Sequence, residues 1–223
     1  MEPIHVIHVS TATSWRGGEQ QLAYLIEGLK THGVKQQVLC VEKAPFAEYC
    51  LKNVIATTPF RKHGALNMKA AAMLTRICKK NQALIVHCHD SHAHSIAYIA
   101  ALIFRNPARI VIHRRVDFPV SKSVFSKAKY NHPKIAKFIC VSEAIKKILV
   151  PTLKDPAKAS VIHSGIDLSR FEHVENRGLL KKEFGLSDNN ILIGNVSALA
   201  PHKDYFTFIT TAEIMLKNKP HFR

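Results

Sequence analysis

Residues 4–33 read IHVIHVSTATSWRGGEQQLAYLIEGLKTHG. An apolar run of strand length, Ile4 to Val9, leads into a polar loop that ends in Gly17 and Gly18. Leu22, Leu25, Ile26 and Leu29 then recur at intervals of three and four, placing one apolar stripe on a helix over residues 19–31 that Gly33 can end. A buried strand, a glycine turn and an amphipathic helix make the opening of a parallel βαβ unit.

The same alternation continues outward. Strands are expected at residues 38–41, 54–56, 83–87, 109–113, 137–141 and 160–163. Between them lie a helix over 45–53 that begins with Pro45, one with Leu66, Ala70, Met73, Leu74 and Ile77 on a single face, and one over 92–104 that is apolar nearly all round. Ser142 is placed to cap a further helix that runs to Val150 before Pro151 stops it. Strands apolar on both faces, alternating with helices, predict an α/β fold: a Rossmann-like, doubly wound parallel sheet. Ligands of such sheets bind beyond the carboxyl ends of the strands, so the loops after Val9, His87, His113, Val141 and His163 are the ones to inspect.

The 223 residues are 47% hydrophobic, enough for a substantial core, and the 8% aromatic content argues against disorder. The five cysteines form no C-x-x-C pair and sit mostly in apolar runs, as reduced thiols of a cytoplasmic protein would. The segment MEPIHVIHVS lacks the basic start of a secretory signal, and the longest apolar run, residues 96–104, is too short to span a bilayer. With 32 Lys and Arg against 16 Asp and Glu, the net charge of +16 favours phosphate-bearing partners: nucleotides, anionic lipid or nucleic acid. No RNA-binding motif or aromatic stacking platform is present, which weighs against a specific nucleic acid.

Beyond Ser164 the chain turns polar, then offers a helix over 179–184, one strand over 191–196 and a helix over 206–216. One strand cannot close a sheet, so residues 1–164 are expected to form one domain and residues 165–223 a hinge with an incomplete second.

Five segments carry candidate chemistry. In STATSWRGGEQQ, the amides of Gly17 and Gly18 at a helix start form an anion seat, with Arg16 and Glu19 beside it. HCHDSHAH holds four histidines and an aspartate, but H-x-H-D-S-H misses the H-x-H-x-D-H spacing of metallohydrolases by one place. No metal site is therefore assigned, His89 and Asp90 are taken as substrate-binding, and a metallohydrolase using His87, His89, Asp90 and His92 stands as an alternative. Arg114 to Lys137 holds seven Lys or Arg and one acid, Asp117, interleaved with Phe118, Val124 and Phe125. That segment fits an anionic acceptor or membrane surface, or a solvated basic face, and its extreme form is a non-catalytic binding module for anionic lipid or nucleic acid. VIHSGIDLSRF, with Gly165, suits a hinge. Lys203, at a helix start near Asp204, is placed to neutralise a departing phosphate.

In that order, the Gly-Gly loop, HCHD, VSEAIKK, SGIDLSRF and VSALAPHKD resemble the landmarks of the group 1, glycogen-synthase-like family of retaining GT-B glycosyltransferases along essentially the whole chain. The resemblance implies two Rossmann-like domains facing across a cleft, with an acceptor on the first and a nucleotide-sugar donor on the second. It further implies transfer with retained anomeric configuration and no metal or other cofactor. Gly17 and Gly18 match the diphosphate loop, Lys203 the lysine on the leaving phosphate, and either His113 or Arg115 the polar group near the sugar, with Arg114, Ser142 and His202 close by. Where the family usually has an arginine five residues before that lysine, this chain has Ala198, so neutralisation would rest on Lys203 and His202. The RRVDFP segment resembles a bacterial branch that assembles cell-envelope glycan or lipopolysaccharide at the inner face of the cytoplasmic membrane. The family's glutamate pair, with seven residues between its members, has no match in context: Glu19 with Glu27, and Glu175 with Glu183, show the spacing in the wrong places. The chain stops at Arg223, so little or no transferase activity is expected of it alone.

Overall fold

A computed structural model describes residues 4–64, 66–173 and 178–218; Glu175 lies outside them. Seven strands, β1 (His5–Ser10), β2 (Lys35–Val41), β3 (Thr57–Phe60), β4 (Ile85–Cys88), β5 (Arg109–Arg114), β6 (Ile135–Cys140) and β7 (Ala159–Val161), form one sheet in the order β3-β2-β1-β4-β5-β6-β7. Every neighbouring pair is parallel. The helices of this region are α1 (Gly17–Thr31), α2 (Pro45–Lys52), α3 (Met68–Lys80), α4 (Ser91–Leu102), α5 (Val124–Tyr130) and α6 (Glu143–Leu149). This is the expected doubly wound α/β sheet.

Because side chains alternate along a strand, the sheet has two faces to cover, and β2 contributes to the core on each. Ile7, Val9, Leu39, Val41, Val86, Cys88, Ile110, Ile112, Phe138 and Cys140 pack with α3, α4 and α6 residues such as Leu74, Ile96, Ile145 and Leu149. On the other face Val38 and Cys40 pack with Leu22, Ala23 and Ile26 of α1 and with Phe46, Ala47 and Cys50 of α2. The apolar circumference of α4 is explained by its depth: eight of its residues, from Ala93 to Ala100, are buried. Asn67, Asp90, Ser123 and Ser142 each accept an amide hydrogen bond at the start of a helix, so capping sets four of the helix entries.

Two expected strands are corrected. Residues 54–56 belong to the turn that closes α2, where the amides of Val54 and Ile55 bond back to Leu51 and Cys50 and Val54 is 93% exposed at positive φ. The strand begins instead at Thr57, and its Pro59 is tolerated because β3 is an edge strand. The strand expected at 191–196 is reduced to a bridge at Ile191. A strand needs backbone partners, and the described residues around it supply no ladder.

By contacts the chain divides into Met1–Ile166 and Asp167–Arg223. The second unit contains α7 (Leu179–Glu183) and α8 (Tyr205–Asn218). Asp204, at positive φ, accepts from the Thr207 amide at the start of α8, and the Tyr205 hydroxyl donates to the Ser197 carbonyl at 2.8 Å. Among the described residues, no helix is long and apolar enough to cross a membrane.

Candidate functional site

The chain runs from β1 outward to β2 and β3, then returns to place β4 on the other side of β1. The carboxyl ends of β1 and β4 thus flank the switch point where open α/β sheets bind ligands. Asp90, just past β4, ties the two ends together. Its Oδ1 accepts from Thr11 Oγ1 at 2.7 Å and from the Ala93 amide at 2.8 Å, and its Oδ2 accepts from the Thr11 amide at 2.6 Å. Lys62 Nζ adds a bond to the Thr11 carbonyl at 3.0 Å. Both oxygens of Asp90, expected to bind substrate, are therefore committed to joining the β1 and β4 loops and capping α4.

On the α1 face of the sheet sits a group of imidazoles. His8 lies opposite His87 in the β1–β4 register, and alternation carries His89 to the same face. The His87 and His89 ring centroids are 4.2 Å apart, those of His8 and His89 5.2 Å, and the His113 ring stacks on His87 at 5.8 Å. Burial is the first cause that lowers the pKa of all four: His8 and His113 fall to about 4, and His87 and His89 fall well below the usual value. They are neutral at pH 7.

Arg115, at the end of this row, donates through Nη1 to the His89 carbonyl at 2.9 Å and through Nη2 toward Nδ1 of His89 and of His113, at 3.4 and 3.3 Å. Its guanidinium approaches Gly18 so closely that a β-carbon there would stand 3.4 Å from Nη1. Gly17 and Gly18 begin α1, where the leading amides have no partners inside the helix. The structure thus brings the Gly-Gly turn, His89, His113 and Arg115 together.

Other expected site residues are placed differently. Glu19 turns back to accept from the Arg16 amide at 3.0 Å, closing the start of its own helix, and Arg16 is exposed. Arg114 falls on the opposite face from Arg115. It is 7% exposed, donating to the Tyr130 hydroxyl at 3.0 Å and to the Phe118 carbonyl, and so anchors the loop that leads to α5. Ser142 is occupied as the cap of α6, and Gly165 exchanges two backbone bonds with the Gln21 amide group. Lys203 is exposed in a 3-10 turn, Pro201–Lys203; the side chain of His202 lies outside the described residues. His92 is exposed on α4, so the set His87, His89, Asp90 and His92 is not assembled. The group that does converge is His8, His87 and His89, with ligand-type nitrogens within 4.8 Å of one another.

Sequence reasoning missed His8, Thr11, Gln36 and Lys129. A histidine in the middle of an apolar strand was the available signal for His8. Lys129, 8% exposed, donates to Ser95 Oγ at 3.2 Å, and burial lowers its pKa. A cavity of about 170 Å³ opens between His89, Asp90, His113, Arg114, Arg115 and Tyr130. Among the described residues the ion pairs are Arg61–Glu42 and Lys217–Glu213, so none of Arg114, Arg115 and Lys129 makes a direct ion pair. Burial lowers the pKa of Arg115, and Glu19 and Asp90 lie near enough to oppose that shift.

The family model described as Glycosyltransferase Family 4 matches residues 15–170. The Escherichia coli UDP-Gal:alpha-D-GlcNAc-diphosphoundecaprenol alpha-1,3-galactosyltransferase is 27% identical over 96% of this chain and 59% of its own length. Anabaena HepE, solved in complex with UDP-glucose, superposes with a TM-score of 0.71 at 16% identity over 93% of this chain and 56% of that one. A Rickettsia africae glycosyltransferase gives 0.72 at 17% identity over 100% and 68%. The chain therefore spans little more than half the length of the E. coli relative.

Proposed function

The chain belongs to glycosyltransferase family 4, and from that premise we propose that it forms the acceptor side of an enzyme that moves a sugar from a nucleotide-sugar donor to a lipid-linked or lipopolysaccharide acceptor of the cell envelope. The observation that carries this reading is Arg115, an ion-pair-free cation over the Gly17–Gly18 helix start and beside the cavity of about 170 Å³. A phosphate-bearing substrate held there would meet helix amides, a guanidinium and the His113 ring. The E. coli relative is named for a diphosphate-linked lipid acceptor, and this cationic edge suits the same chemistry.

In this reading residues 1–164 bind the acceptor, and residues 165–223 begin the donor-binding part. Lys203 offsets charge on the leaving nucleoside diphosphate, and transfer proceeds by attack on the face the nucleotide leaves, which retains anomeric configuration. The protein works at the inner face of the cytoplasmic membrane. Phe118 and Val124, 69% and 86% exposed, stand by an open groove that Lys122, Lys127 and Lys154 help to line, a combination that suits anionic lipid.

Calorimetric titration with a short-chain polyprenyl diphosphate-linked N-acetylglucosamine tests the reading. The chain should bind it, and Arg115→Ala should weaken binding roughly ten-fold or more, as expected for losing a charge-assisted hydrogen bond. Equal affinity in the variant, or no binding by the unaltered chain, would remove the proposal.

A further inference from the structure

Arg115 is half-buried and is held by His89 and His113. Its guanidinium can only donate, so the atom it faces at 3.4 Å, His89 Nδ1, must carry a lone pair. The proton of neutral His89 then resides on Nε2, which stands 3.0 Å from His8 Nδ1 and donates to it. His8 in turn carries its proton on Nε2 and donates to Gln36 Oε1 at 3.0 Å.

The other end gives the same answer independently. The Ile26 carbonyl of α1 can only accept, so Gln36 presents its Nε2 there at 2.9 Å and its oxygen to His8. That requires a protonated His8 Nε2, a bare His8 Nδ1, a protonated His89 Nε2 and a bare His89 Nδ1. Two fixed ends, a guanidinium and a backbone carbonyl, force one arrangement of protons along the row.

We propose that His8 and Gln36 are positioning residues: through the relay Arg115–His89–His8–Gln36–Ile26 they hold His89 in the Nε2–H tautomer, whose free Nδ1 keeps Arg115 over Gly18. What the relay delivers is a located cation that no carboxylate pairs directly, with Glu19 and Asp90 close enough only to favour its charged form. A carboxylate partner would hold Arg115 as well but would cancel the charge that attracts phosphate, whereas imidazole lone pairs orient the guanidinium without neutralising it. His113 joins from the side, its Nδ1 also facing Arg115 at 3.3 Å, which leaves its Nε2–H without a partner. The alternative use of the same rings, a metal centre of His8, His87 and His89, is disfavoured by this arrangement. A metal on His89 Nε2 would put a proton on Nδ1, against a guanidinium that can only donate. The value of holding Arg115 rests on the function proposed above; the arrangement of protons does not.

The test is long-range proton–nitrogen correlation on the whole chain labelled in histidine and arginine, at pH 7. His8 and His89 should each show a protonated Nε2 and a bare Nδ1. His8→Asn, whose Oδ1 takes the place of Nδ1, should preserve the His89 pattern and a sharp Arg115 Nε–H signal. His8→Leu should lose both: the His89 Nε2–H is left buried without an acceptor, so His89 shifts to the Nδ1–H form and Arg115 Nη2 gives up its contact there. Its affinity for inorganic pyrophosphate should fall roughly ten-fold, while His8→Asn stays within about two-fold of the unaltered chain. If His8→Leu does not fold, Gln36→Leu, at the partly exposed end, should loosen the His8 tautomer alone. A protonated Nδ1 on His89 in the unaltered chain would overturn the proposal. So would unchanged His89 and Arg115 signals in His8→Leu, or one equivalent of Co²⁺ shifting His8, His87 and His89 together. Failure of the unaltered chain to bind pyrophosphate counts against the proposed function and leaves the tautomer result to stand or fall by itself.

Discussion

The two faces of the one sheet are made by the same strands and do opposite work. In β4, Val86 and Cys88 enter a core shared with α3 and α4, while His87, between them in sequence, points into the row of imidazoles. In β1, Ile7 and Val9 flank His8 in the same way. On the apolar face a residue is held by area removed from water and is indifferent to direction. On the other, His8, His89 and His113 are held by donors or acceptors of fixed sense, so a change of one atom is felt along the row. A strand with period two can thus be half scaffold and half site.

Three experiments bear on that contrast. Leu74→Ala, in the centre of the apolar face, should cost about 2–5 kcal/mol in denaturant unfolding, since it leaves a cavity in a packed core; a loss below about 1 kcal/mol would mean this face is not the scaffold. Acid should separate the faces next. His8 stays neutral in the fold down to about pH 4 but takes up a proton near pH 6.5 when unfolded. The unfolded state therefore binds more protons in that window, and His8's contribution, fully present above pH 6.5, is lost as pH falls toward 4. Unfolding free energies measured between pH 7 and 4 should drop by up to about 3 kcal/mol from this group, and His8→Asn should flatten the slope. A slope untouched by the substitution would place the sensitivity elsewhere. Asp90→Ala should be milder, about 2 kcal/mol by the same denaturant assay, because it removes a helix cap and the link to Thr11 while leaving both faces packed.

Most of the sheet was legible because its strands are short apolar runs and its helices carry single stripes. The exceptions were physical. Val54 to Ala56 is apolar enough for a strand, but the closing turn of α2 claims those residues, and pairing starts at Thr57. Ile191 to Val196 has a strand's composition without a strand's neighbours. At the site, His89, His113, Arg115 and the glycine pair could be placed from their positions at strand ends. His8, Thr11 and Gln36 could not, because their meaning depends on which residues the register sets beside them. Arg114 and Arg115 show the limit most clearly: adjacent in sequence and equally basic, they leave β5 on opposite faces, one to brace a loop and the other to meet Gly18.

All five thiols are buried, and Cys40, Cys50 and Cys78 ionise only near pH 11 to 12. Alkylating reagents at neutral pH attack thiolates that they can reach, so the folded chain presents them with almost no target. One cysteine introduced on the exposed loop beside Phe118 would therefore take a fluorophore or spin label alone, with the native five left in place. Movement of that loop at a lipid surface could then be followed in an otherwise unaltered molecule.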